Sequence, residues 1–243
     1  MPIQREPSAA VPPTEAEWEA ARRILAASLR RASLAQIGGF RPPDIAVSSW
    51  WGGNFVSEPG ETVPVREKSG RIMHPVLQIR LDELPYRPPQ LEGIALISIW
   101  FDLETHHWWQ ASNGTAFCLR TYIGLGGLAP LGPLYRARNA KLPILPVRWR
   151  LAEADGPDWE DIGLSFPRSV ARWPDRSWFF ENNCPNFGTK VGGWPAWCQA
   201  SQGAEDFVLQ IASEPKGKLM WGDNGCVYLF LKDGRWRIAG DCY

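Results

Sequence analysis

Apolar and polar positions alternate in two different rhythms along this chain. Near the start, Trp18, Ala21, Leu25, Leu29 and Ala32 fall at helical spacing and define one apolar face. Thr14 followed by Glu17 is the capping-box pattern that opens a helix. Glu15, Glu17 and Glu19 sit early and Arg30 and Arg31 late, the order that suits a helix dipole. Gly38-Gly39 then Pro42-Pro43 would end it, so the spacing predicts a helix reaching toward residue 37. Beyond Pro43 the rhythm changes to short apolar runs punctuated by Gly, Pro, Asn and Asp. These runs predict strands at Val76–Leu81, Ile94–Phe101, Ala116–Ile123, Pro146–Leu151, Phe207–Ala212, Val227–Leu231 and Trp236–Ala239, with a short helix near Trp159–Ile162. Residues 1–13, with Pro2, Pro7, Pro12 and Pro13, read as an irregular tail, and residues 14–243 as one domain.

The strands contain a repeat. Val76-Leu77-Gln78-Ile79 recurs as Val208-Leu209-Gln210-Ile211, each copy preceded by a glycine pair, Gly52-Gly53 and Gly192-Gly193. A strongly apolar strand ending in Asp follows each, and the pattern aligns Leu96–Asp102 with Val227–Asp233. In both copies the leucine and isoleucine alternate onto one face, and the Gln side chain faces the other, where its amide needs partners. The expected fold is α+β and strand-rich. It consists of two related β-rich halves, about 44–123 and 172–243, with an N-terminal helix packed on them.

Composition narrows the function classes. The chain has 243 residues, and its 26 basic side chains balance its 26 acidic ones, which argues against a dedicated nucleic-acid binder. No apolar run approaches the ~20 residues of a membrane span, and the N-terminus lacks a signal-peptide pattern. The five cysteines have no C-x-x-C spacing, so reduced thiols and a cytoplasmic location are expected. Residues 105–152 contain six basic and no acidic side chains, whereas Glu153, Asp155, Asp158, Glu160 and Asp161 follow at once. Either the two segments pair or solvate opposite faces, or the first docks an acidic partner.

Candidate chemistry is sparse. Gly124–Ala129 spells G-x-G-x-x-A, but Pro130, Gly132 and Pro133 would break the helix that a dinucleotide site requires. His106 and His107 would face opposite sides of a strand and could not easily share an ion. Asp223-Asn224-Gly225 lacks the further acids of a calcium loop and reads as a turn. No cofactor and no metal is expected. The extreme in the composition is its 14 tryptophans. Trp50, Trp51, Trp194, Trp197 and Trp221 gather at the repeat motifs, and with Asp223 they form the candidate binding surface. The expectation is a Trp-lined groove with at least two of those rings partly exposed; core packing would bury all five.

The segments Lys190-Val191-Gly192-Gly193-Trp194-Pro195 with Trp197 and Gln199, Leu209-Gln210-Ile211, and Trp221-Gly222-Asp223 with Gly225 resemble the YwqG-like family, a bacterial domain of unknown function (DUF1963). Ser49, Gly52-Gly53 and Leu77-Gln78-Ile79 match more loosely, and Trp50 and Phe55 stand where Lys and Pro would be expected. The resemblance implies a strand-rich α+β fold with an internal duplication, and by association a toxin-immunity role. The expected function is a non-enzymatic binding protein with a protein partner. The alternative is a small-ligand binder or enzyme using the cleft between the halves.

Overall fold

The computed structural model describes residues 11–53, 55–104, 111–131 and 142–243. Helix α1 spans Glu15–Ser28. Its capping box is complete: the Thr14 hydroxyl accepts from the Glu17 amide, and the Glu17 carboxylate accepts from the Thr14 amide at 2.8 Å. Ala21 and Leu25 are buried, as the spacing predicts, but the helix ends at Ser28 and not near residue 37. Leu29 is already extended, and Arg30–Ile37 forms strand β1. The reason is tertiary. This segment pairs with a strand on each side, and those ladders outweigh its local helical preference.

The remaining strands, in chain order, are β2 (Trp50–Trp51), β3 (Val56–Ser57), β4 (His74–Arg80), β5 (Leu96–Phe101), β6 (Phe117–Tyr122), β7 (Ala129–Pro130), β8 (Leu145–Asp155), β9 (Lys190–Gly192), β10 (Phe207–Ala212), β11 (Cys226–Lys232) and β12 (Arg235–Asp241). Short helices α2 (Trp159–Ile162), α3 (Arg168–Ala171) and α4 (Ser177–Asn182) lie between β8 and β9. β3 and β7 form a separate ribbon. The other ten strands form one curled antiparallel sheet in the order β12-β11-β10-β9-β1-β8-β2-β4-β5-β6. β1 and β8 are its centre, with a first wing of β2, β4, β5 and β6 and a second wing of β9 to β12.

The curl has a physical cause. One face of the strands carries a single apolar core with contributions from both wings, including Leu77, Ile99 and Leu119 from the first and Leu209, Leu229 and Ile238 from the second. Wrapping the sheet around these side chains removes them from water at about 1.5–3 kcal/mol for each large one. Thr121 of β6 and Trp236 of β12 line one common cavity, so the two end strands approach each other. The outer face is covered too: Trp197, Phe207, Tyr228 and Phe230 pack together on the second wing, and Phe55, Met73 and Trp100 on the first. Coverage on both faces explains why β5 and β10 are buried at every position and read as unbroken apolar runs. A further cluster joins α1 to α2, α3 and α4 through Ala21, Leu25, Trp159, Val170 and Phe179.

The wings share their register. Gln78 stands opposite Trp50 and Ser98; Gln210 stands opposite Lys190 and Tyr228. A bulge interrupts β4 between Pro75 and Leu77, and β10 between Phe207 and Leu209. This register corrects the alignment read from sequence by one residue. Leu96 matches Cys226 rather than Val227, and Asp102 matches Lys232 rather than Asp233. A one-residue slip would have turned every side chain of the strand to the wrong face.

Candidate functional site

The end of β8, the start of β9 and the turn after it meet at one buried carboxylate. Asp155 and Lys190 are fully buried, with Nζ to Oδ2 at 2.8 Å. The same Oδ2 accepts from the Trp194 amide, while Oδ1 accepts from the backbone and side-chain amides of Asn186. A buried carboxylate needs this many donors, because an unpaired charge out of water is very costly. Burial lowers the Lys190 pKa, opposed by the charge of Asp155 and the hydrogen bond to it. The chain reaches Trp194 through Gly192 and Gly193, at φ 76° and 74°. A Cβ at Gly192 would stand 2.6 Å from the Tyr86 ring, and one at Gly193 would stand 2.1 Å from Asp155 Oδ2, so glycine is required for close approach as well as for backbone angle.

This node sets the Trp194 ring. Its Nε1 donates to the Ser28 carbonyl at 2.7 Å, and the Arg30 guanidinium lies over the ring at 3.4 Å from its centroid. Arg30 therefore projects from the α1–β1 junction into the space between the wings. Two cavities open on either side of it. One, of about 340 Å³, is lined by residues 86 and 88–90 from the first wing and by Gly192, Gly193 and residues 204–207 from the second. The other, of about 450 Å³, runs past Trp194 to Glu160, Asp161, residues 201–206 and Arg237. Desolvation lowers the Arg30 pKa, with Asp161, Tyr86 and Asp155 acting in the opposite direction. Arg237 lies over the Phe230 ring at 3.9 Å.

The expected tryptophan groove is not there. Trp51, Trp194, Trp197 and Trp221 are buried, and only Trp50 of the five is partly exposed. The five rings also belong to four separate clusters. Their work is packing. Trp51 donates from Nε1 to the Gly217 carbonyl at 3.0 Å, and Trp221 meets Phe101 edge-on at 4.9 Å, so each ties one wing to the other. Trp197 donates to Asp161 and packs against Tyr228 and Phe230. Trp50 donates to the Ile45 carbonyl. Asp223 is exposed in the turn before β11, where Asn224 takes φ 54°. Of the six, Trp194 alone lines the cleft around Arg30.

Other sequence candidates resolve simply. Gly124–Ala129 is a turn leading into β7, with no helix to bind a pyrophosphate. His74 is buried in β4; His106 and His107 lie outside the described residues, as do Arg136, Arg138 and Lys141 and residues 1–10 of the tail. Of the other basic residues in that stretch, Arg120 pairs with Glu61 and Arg148 lies over Phe40. Among the acidic residues that follow it, Asp155 pairs with Lys190, and Glu153 pairs with Arg31. No helix among the described residues is long and apolar enough to cross a membrane. Sequence reasoning missed Arg30 as a site residue because it assigned the residue to a helix end; no local motif marks it.

No family profile matches the chain and no curated protein matches it.

Proposed function

We propose that this chain is a non-enzymatic binding protein whose ligand occupies the cleft around Arg30 and Trp194. The observation that carries the reading is the origin of the cleft walls. Residues 86 and 88–90 come from the first wing and residues 192–194 and 201–207 from the second, with Arg30 between them. Junctions of this kind are common ligand sites. The lining offers an oriented guanidinium, carboxylates and an indole edge, and it contains no thiol and no imidazole among the described residues. Such groups recognise and orient a ligand, and the Ser201 hydroxyl of the larger cavity is held as a donor to Asp161. In this reading the wings are copies of one ancestral unit, as the YwqG-like resemblance implies. The second copy has Lys190, which pairs with Asp155 of β8 and so builds the Trp194 side of the cleft. The first copy has Trp50 at the equivalent place and no such pair.

The test is a thermal-shift screen of the full chain against small metabolites and short peptides, with hits confirmed by calorimetry. Gln90 and Gln202 are exposed residues on the two cavity walls. Gln90→Trp and Gln202→Trp should each narrow a cavity without touching the core. Hits should lose at least tenfold in affinity in one or both variants. A library without hits, or hits indifferent to both substitutions, would remove the cleft from consideration.

A further inference from the structure

The cleft carries charges of both signs that are not equally committed. Glu160 accepts from the Ser201 amide, Asp161 from Trp197 and from the Ser201 hydroxyl, and Asp206 pairs with Lys232 at 3.4 Å. Arg30 and Glu205 line both cavities, and no ion pair joins them. Neither makes a hydrogen bond or ion pair with another side chain among the described residues. The Arg30 guanidinium carbon sits 3.4 Å from the centroid of the Trp194 ring, a contact that restrains the side chain and lowers the entropy lost when it binds a carboxylate. A purely anionic ligand would meet the acidic residues of the larger cavity, and a purely cationic one would meet Arg30 and Arg237. A molecule with both charges satisfies both walls.

We propose, on the reading that this cleft is the binding site, that its ligand is a small zwitterion with the chemistry of an α-amino acid or a dipeptide. Its carboxylate lies on the guanidinium of Arg30, and its ammonium faces the carboxylate of Glu205. The two cavities flanking Arg30 leave room for a side chain on either side.

The experiment is calorimetry on the full chain with the twenty common amino acids and a set of dipeptides. For each one that binds, the matching amine without the carboxylate and the matching acid without the amine are titrated, together with acetate and inorganic phosphate. The zwitterion should bind at least tenfold tighter than either half-molecule. Arg30→Gln should abolish that preference for the carboxylate, and Glu205→Gln should weaken the zwitterion several-fold while leaving the acid unchanged. Glu205 is exposed, so its variant keeps the test valid if Arg30→Gln disturbs packing on Trp194. Phosphate or acetate binding as tightly as any zwitterion would overturn the proposal, as would zwitterion binding unchanged in both variants. If no amino acid or dipeptide binds but another compound is lost in Gln90→Trp or Gln202→Trp, the zwitterion fails and the cleft stands. If nothing binds there, both fail.

Discussion

Gln78 and Gln210, at matching register positions in the two wings, each accept one backbone amide and donate to two backbone carbonyls. Oε1 of Gln78 accepts from the Val56 amide at 2.9 Å, and its Nε2 donates to the carbonyls of Ala46 and Ser48. Oε1 of Gln210 accepts from the Ala196 amide at 2.9 Å, and its Nε2 donates to the carbonyls of Phe187 and Gly188. Both side chains are fully buried. Each amide replaces the missing strand partners of the segments before and after the short strand beside it. Gln78→Leu and Gln210→Leu should each cost about 3 kcal/mol, since they strand several buried backbone groups at roughly 1–3 kcal/mol apiece. Urea unfolding measures this, and a loss in one variant without the other would mean that the two amides are not equivalent in energy.

The Asp155–Lys190 pair makes an asymmetric prediction. Lys190→Met leaves Asp155 with the amides of Asn186 and Trp194, whereas Asp155→Leu strands the ammonium and those amides together. Both single changes should be severe, about 3–5 kcal/mol, with Asp155→Leu the worse. The double variant should recover part of the loss. Equal and additive losses in denaturant titrations would show that the charges do not interact.

Alkaline pH should destabilise the protein partly through Tyr122. Burial raises its pKa to about 12, aided by its hydrogen bond to Glu61. A phenol whose folded pKa is raised contributes stability that is full below its unfolded pKa, about 10, and is lost as pH rises through about 12. Tyr122→Phe should therefore flatten the fall in melting temperature between those limits. A profile identical to wild type would sink the assignment.

The thiols should separate by reactivity. Cys184 is exposed, whereas Cys226 is buried and desolvation pushes its pKa up to about 12; Cys198 is pushed up to about 11 by the same cause. Because the thiolate is the reactive form, a maleimide or iodoacetamide at pH 8 should label Cys184 first and spare Cys226 until unfolding. Peptide mapping that found Cys226 labelled early would contradict the packing of β10 against β11.

Loss of the α1 cap is a local test. Thr14→Ala should cost about 1 kcal/mol. The Glu17 carboxylate also accepts from the Ser169 hydroxyl at 2.6 Å, tying α1 to α3, so Glu17→Ala should lower stability too. A neutral Thr14→Ala in thermal melts would show that the box is redundant.

What the sequence determined by itself is what depends on near neighbours. The α1 start follows from Thr14 and Glu17, and α2 near Trp159–Ile162 and most strand positions from short apolar runs between turn residues. The repeated Leu-Gln-Ile motif marked β4 and β10, and the demand for amide partners followed from placing Gln in a strand. The tertiary structure alone decided the rest. Arg30–Ile37 became a strand because β8 and β9 lie on both sides of it, a long-range pairing that overrides helical spacing. The one-residue slip between Leu96–Phe101 and Cys226–Lys232 could be read only from cross-strand partners, since apolar runs buried on both faces have no alternation to fix their phase. Trp51 and Trp221 became inter-wing packing, not surface, because the curl of the sheet brings Gly217 and Phe101 against them. The cleft at Arg30 exists only because segments far apart in the chain converge there, and no local pattern encodes that meeting.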